Sequence, residues 1–269
     1  MYPFSISHTE GRMLKILAIG HSIVKGAGDG NEISVENAFP RPPSLFPAHL
    51  PEGGWNYGKF QIKPRWGDGS LGNEGGPGWV VRVADFLPPG TVQIFNEGYS
   101  GGTAGDWDPQ GNDYIGKIFA REDEVLPRDL DLAVFAIMAN DIKTAPQVWK
   151  EQVGRVIDVL EGKNIRTLLV HDWFHGEGTG PYFVGDCTAV YDALCAAVDE
   201  LIVEKKLLPA LDIRTISERD YKQGGATLCF DLKAWHTHPN TAGMIAAAQI
   251  LADYLRQHVL PSGGVGAAV

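Results

Sequence analysis

Short apolar runs alternate with amphipathic stretches along most of this chain, and the alternation predicts its architecture. Leu14–Gly20 (LKILAIG), Thr91–Asn96 (TVQIFN), Asp131–Met138 (DLAVFAIM) and Ile165–His171 (IRTLLVH) are brief, β-prone and nearly continuous in apolar residues. Leu207–Ile213 is a shorter fifth run. Runs of this kind, bounded by turn or charged residues, read as strands buried on both faces of a parallel sheet. Four stretches between them carry helical periodicity. Trp79–Leu87 is halted by Pro88-Pro89-Gly90, and Gln147–Leu160 sets Val148, Val153, Val156, Ile157 and Leu160 mostly on one stripe. Ala189–Glu204 and Thr241–Val259 are the strongest helical patterns. Strand and helix in turn predict an α/β domain with helices on both faces of the sheet.

One segment interrupts the rhythm. Asp29–Pro77 is rich in Gly and Pro, holds Trp55 and Trp66, and keeps no period. A long irregular segment in a compact domain is usually functional, so it is expected to be a lid-like insertion after the first strand. Pro261–Val269 is Gly/Ala-rich and reads as a flexible tail. The whole chain, residues 1–269, is expected to form one domain.

Composition narrows the partners. With 33 acidic and 23 basic residues the net charge is −10, which disfavours nucleic acid and polyanionic substrates and leaves neutral esters or glycans. Three cysteines without a C-x-x-C spacing (Cys187, Cys195, Cys229) suggest neither a disulfide framework nor a thiolate zinc site. No stretch approaches the ~20 apolar residues of a membrane span. Met1–Met13 lacks the apolar core of a signal peptide, so a cytoplasmic protein is expected, with secretion after loss of a leader as the alternative.

In open α/β sheets reactive groups gather where strands end at their carboxyl edge. Polar clusters fall there after three of the strands: Gly20-His21-Ser22, then Asn96 through Gly102, then Met138-Ala139-Asn140-Asp141. A fourth, Trp235 through Asn240, precedes the last helix. A serine, a glycine turn, an asparagine and a histidine supply the nucleophile, oxyanion donors and base that acyl transfer requires.

In order and context these clusters resemble the four sequence blocks of the SGNH (GDSL-type) hydrolases: Gly-Asp-Ser, Asn-x-x-x-Ser-Gly, Gly-x-Asn-Asp and Asp-x-x-His-Pro. The resemblance runs from about Leu14 to Val259, the insertion apart. It implies a flavodoxin-like, three-layer α/β/α fold with a five-stranded parallel sheet in order 2-1-3-4-5. It also implies a serine esterase without a cofactor or metal, in which Ser22 is the nucleophile and His238 the base. The implied oxyanion hole is the Ser22 N–H, the Gly101 N–H and the Asn140 side chain. The expected substrate is a small acetyl or short-chain ester, carried on a small molecule or a glycan.

Three positions depart from the family pattern. His21 stands where the aspartate before the serine would brace the loop. Met138 replaces the glycine of the third block. Trp235 occupies the place of the acid three residues before His238. Either Asp231 supplies a carboxylate to His238, or the Trp235 backbone carbonyl accepts its Nδ1–H in a Ser–His dyad, since a backbone acceptor still fixes the tautomer. His21, Met138, Asp141 and His171 are candidates for lining the substrate pocket.

Rival readings share the same residues. Gly98 to Gly102 matches G-x-S-x-G, the nucleophile elbow of the α/β-hydrolases, with Ser100 as nucleophile; the Gly-rich sequence after it is a poor helix former. His171, Asp172, His175, His236 and His238 offer imidazole and carboxylate ligands to a metal. An acyltransferase on the same fold, and a catalytically dead glycan-binding version of it, complete the alternatives. Trp55, Trp66, Trp79 and Trp107 are read either as sugar-stacking platforms or as core aromatics.

Overall fold

The computed structural model describes residues 13–25, 78–88, 90–98, 101–111, 129–173, 177–178, 185–216, 239 and 241–261. Five strands form its sheet: β1 (Leu14–Gly20), β2 (Val92–Asn96), β3 (Leu132–Ala136), β4 (Arg166–His171) and β5 (Leu211–Asp212). All neighbours pair parallel, in the order β2-β1-β3-β4-β5. The helices are α1 (Ser22–Lys25), α2 (Trp79–Arg82), α3 (Ala104–Trp107), α4 (Pro146–Gly162), α5 (Thr188–Lys205) and α6 (Thr241–His258). This is the expected α/β/α arrangement with the expected strand order.

Its two cores follow from the period-2 alternation of strand side chains. Leu14, Ile16 and Ala18 of β1, with Leu132 and Val134 of β3, enter one core. There they meet Ile23 and Val24 of α1, Trp79 and Val80 of α2, and Met244, Leu251 and Leu255 of α6. Leu17 and Ile19 of β1, with Ala133 and Phe135 of β3, enter the other. Trp107 of α3, Trp149 and Val153 of α4, and Tyr191 and Leu194 of α5 close that face. A strand buried on both faces must be almost wholly apolar, which is why β3 is an unbroken apolar run and β1 is interrupted only by the half-buried Lys15.

Several elements differ from expectation. β5 begins at Leu211, not Leu207: the Leu207 N–H bonds back to the Ile202 carbonyl as α5 closes, and Pro209 has no N–H to give a ladder. The expected helix over Trp79–Leu87 is one α turn followed by a 3₁₀ turn at Val83–Phe86. It ends because Leu87, just before a proline, is extended at φ −115° and ψ 153°. On α4 the buried stripe uses Trp149, whereas Val148 is 46% exposed. Cys187 and Cys195 are buried. The expected insertion over 29–77 and, beyond Pro261, the tail lie outside the described residues. Among the described residues no helix is long and apolar enough to cross a membrane.

Candidate active site

The exit of β1 is built on a glycine that nothing else could replace. Gly20 has φ +148°, and a Cβ there would lie 1.9 Å from the Ala136 carbonyl oxygen. Its own carbonyl accepts the Trp107 indole N–H at 3.2 Å. Two residues on, the half-buried Ser22 starts α1. Asn96, at the end of β2, fastens that turn: its Nδ2 donates to the Val24 carbonyl at 2.9 Å, and its Oδ1 accepts the Gly98 N–H at 3.0 Å.

The glycine turn after β2 is held from two sides. Gly101 adopts φ +77°, a region that favours glycine. A Cβ there would meet no described atom within 4 Å. Asn140 Nδ2 donates to the Gly102 carbonyl at 2.9 Å. Thr103 then caps α3: its hydroxyl accepts the Asp106 N–H, while the Asp106 carboxylate accepts the Thr103 N–H at 2.7 Å. Beyond α3, Arg155 of α4 grips the Asp108 carboxylate with Nε at 2.8 Å and Nη2 at 2.6 Å. That bidentate bond holds the Asp108 carboxyl below its ordinary value, against the opposing effect of burial.

Two buried carboxyl groups organise the edge beyond β3 and β4. Asp141 accepts the Ala104 N–H at 3.0 Å and the Thr144 hydroxyl at 3.0 Å. Burial raises its pKa from 3.8 to about 7, outweighing those donors. Asp172 Oδ2 lies 2.5 Å from His21 Nε2 and also accepts the Met138 N–H at 3.1 Å; its Oδ1 accepts the Trp173 N–H at 2.8 Å. The Ile23 N–H donates to His21 Nδ1 at 3.2 Å, so the ring proton sits on Nε2, toward Asp172. Burial alone would raise the Asp172 carboxyl, yet His21 and the two backbone donors outweigh it and hold the group below the ordinary carboxylate value.

Ser22, Gly101 and Asn140 thus stand on adjacent strand exits at one edge of the sheet, joined through hydrogen bonds. His238, Asp231, Trp235 and Ser100 lie outside the described residues; Pro239 is buried and α6 starts at Thr241. Of the pocket candidates, His21, Met138 and Asp141 have no exposed surface. They brace the turns from beneath: Met138 packs in the core against α4 and α5, and the other two sit in the hydrogen bonds just described. His171 turns toward α5, its Nε2 3.1 Å from Asp199 Oδ1. Trp79 and Trp107 are fully buried core residues and present no stacking face, while Trp55 and Trp66 fall outside the described residues.

Other expectations change as well. The sequence after Ser100 does make a helical turn, because the Thr103–Asp106 cap compensates for two glycines. Yet α3 begins only at Ala104, four residues past that serine, and spans four residues. For the metal reading, Asp172 is engaged by His21, and His175, His236 and His238 lie outside the described residues. The roles of Asn96 and Asp172 were missed. For Asp172 the sequence shows only that it directly follows the β4 run, at the same carboxyl edge as His21; β3 lies between β1 and β4, so no pattern along the chain joins the two.

No protein-family description matches the chain, and no curated protein does. Solved structures do resemble it in fold. A carbohydrate acetylesterase from Sinorhizobium meliloti aligns over 91% of this chain and 99% of its own, with TM-score 0.56 and 15% identity. An acetylxylan esterase from Geobacillus stearothermophilus aligns over 93% and 96%, with TM-score 0.53 and 16% identity. A protein of Slackia heliotrinireducens assigned to the SGNH hydrolases aligns over 90% and 98%, with TM-score 0.52 and 14% identity.

Proposed function

We propose that this chain, which has the fold of the SGNH hydrolases, is a serine esterase that hydrolyses acetyl or other short-chain esters through an acyl-enzyme. The observation that carries the reading is the linkage of Asn140, through Gly102, to the left-handed Gly101 turn. It ties two of the proposed oxyanion donors together at the carboxyl edge of the sheet, next to the exit of β1 that leads to Ser22.

In this mechanism His238 removes the Ser22 hydroxyl proton as the oxygen attacks the ester carbonyl. The oxyanion is bound by the N–H groups of Ser22 and Gly101 and by the Asn140 amide. Collapse of the intermediate expels the alcohol, which takes its proton from His238. Water, activated by the same imidazole, then attacks the acyl-enzyme and releases the acid. Asp231 or the Trp235 carbonyl orients the His238 ring.

The acidic chain, at net charge −10, favours a neutral acyl carrier. The acetylated carbohydrates named for two of the structural neighbours are such carriers. The test is a panel of p-nitrophenyl acetate, butyrate and octanoate beside acetylated xylan, run on the native chain, Ser22→Ala, Ser100→Ala and His238→Ala. Acetyl turnover that falls at least roughly a thousandfold in Ser22→Ala and in His238→Ala supports the reading. Loss confined to Ser100→Ala points instead to an α/β-hydrolase elbow. Glycan binding without turnover points to a dead binding fold, and transfer to an alcohol outpacing hydrolysis points to an acyltransferase.

A further inference from the structure

We infer that His21 and Asp172 are a pair of positioning residues that set the spacing of the oxyanion donors; the inference rests on the assignment of Ser22, Gly101 and Asn140. His21 is bonded through the backbone to Ser22, and its Nε2 meets Asp172 Oδ2 at 2.5 Å, both side chains fully buried. The same oxygen accepts the Met138 N–H, two residues before Asn140. Asn140 in turn holds Gly102, next to Gly101. One carboxylate therefore joins the turn that carries the Ser22 N–H to the turn that carries the Asn140 amide, and through it to Gly101.

An oxyanion hole works only if its donors stand at fixed positions before charge develops. Loosening one link moves donors relative to one another without removing any of them. Such a change weakens binding of the transition state more than binding of the ester, so it lowers kcat and leaves KM nearly unchanged. A brace that served stability alone would lower Tm and leave the turnover of folded enzyme intact.

The two ring nitrogens of His21 allow the link to be isolated. In His21→Gln the side-chain amide reaches the position of Nε2 and keeps a donor for Asp172. In His21→Asn the side chain keeps an acceptor near Nδ1 for Ile23 but falls short of Asp172. The experiment measures kcat, KM and the affinity of a boronic acid, which mimics the tetrahedral intermediate on serine. It uses His21→Gln, His21→Asn, Asp172→Asn and the double variant His21→Asn/Asp172→Asn, each checked for folding by circular dichroism.

We expect His21→Gln to stay within about threefold of the native kcat, and His21→Asn and Asp172→Asn to lose roughly ten- to a hundredfold, with boronate affinity falling in parallel. The double variant should be no slower than the slower single one, as for residues acting as a unit. Native kcat in folded His21→Asn, or equal losses in His21→Gln and His21→Asn, overturns the inference. If Asp172→Asn does not fold, the two His21 variants still decide it. Turnover retained in Ser22→Ala is a separate failure, of the nucleophile assignment rather than of the brace.

Discussion

The side-chain amide of Asn140 donates one N–H to the Gly102 carbonyl at 2.9 Å, binding the turn after β3 to the turn after β2. One N–H vector is thereby spent on orientation, and the amide still has a second to offer an oxyanion. Replacing Asn140 by Ala should therefore lower kcat by about 10²–10³ with little change in KM. Steady-state kinetics on p-nitrophenyl acetate checks this. A rise in KM at constant kcat would show that Asn140 serves ground-state binding instead.

Gly20 offers a prediction about stability. A methyl group at this position would collide with the Ala136 carbonyl oxygen at 1.9 Å and with Val24 Cγ2 at 2.8 Å, on a backbone at φ +148°. The backbone of β3 has no room to retreat, because Ala136 is paired with Gly20 in the sheet. Gly20→Ala should cost more than about 3 kcal/mol or prevent folding outright. Urea denaturation reports the loss; a midpoint equal to that of the native chain would contradict the close approach.

Asp141 predicts a pH dependence whose sign is opposite to that of most carboxyl groups. Its carboxyl titrates at 3.8 when unfolded and at about 7 when folded, so between those values the folded chain binds a proton that the unfolded chain does not. Stability from this group is greatest below about pH 4 and declines as pH rises toward 7, by an amount on the order of 4 kcal/mol. Asp141→Asn keeps an acceptor for the Ala104 N–H and carries no charge. Its stability should exceed that of the native chain at pH 8 and lose the downward slope between pH 4 and 7. Chemical denaturation across that range tests it, and an unchanged slope rules out Asp141 as the source.

The parts of the fold that were legible in the sequence are those set by local pattern. β1 needed only its apolar run, which gave both ends of Leu14–Gly20. β5 was overextended because the helix closure from Leu207 to Ile202 leaves no mark in hydrophobicity. α3 was missed because a two-residue reciprocal cap, Thr103 with Asp106, outweighs poor propensity. At the proposed site, the polar clusters that hold Ser22, Gly101 and Asn140 were legible at the ends of apolar runs, while the choice of residue within each cluster came from the family resemblance. The bond from His21 to Asp172 spans 151 positions along the chain, and no local pattern encodes a contact at that range. It becomes visible only once β1, β3 and β4 lie side by side.

The nucleophile is the centre of this account, and covalent trapping tests it most directly. A fluorophosphonate probe should label the native chain once, and peptide mass spectrometry should place the adduct on the segment containing Ser22. Ser22→Ala should abolish labelling and Ser100→Ala should preserve it. An adduct on Ser100, or none on the folded native chain, would contradict the assignment.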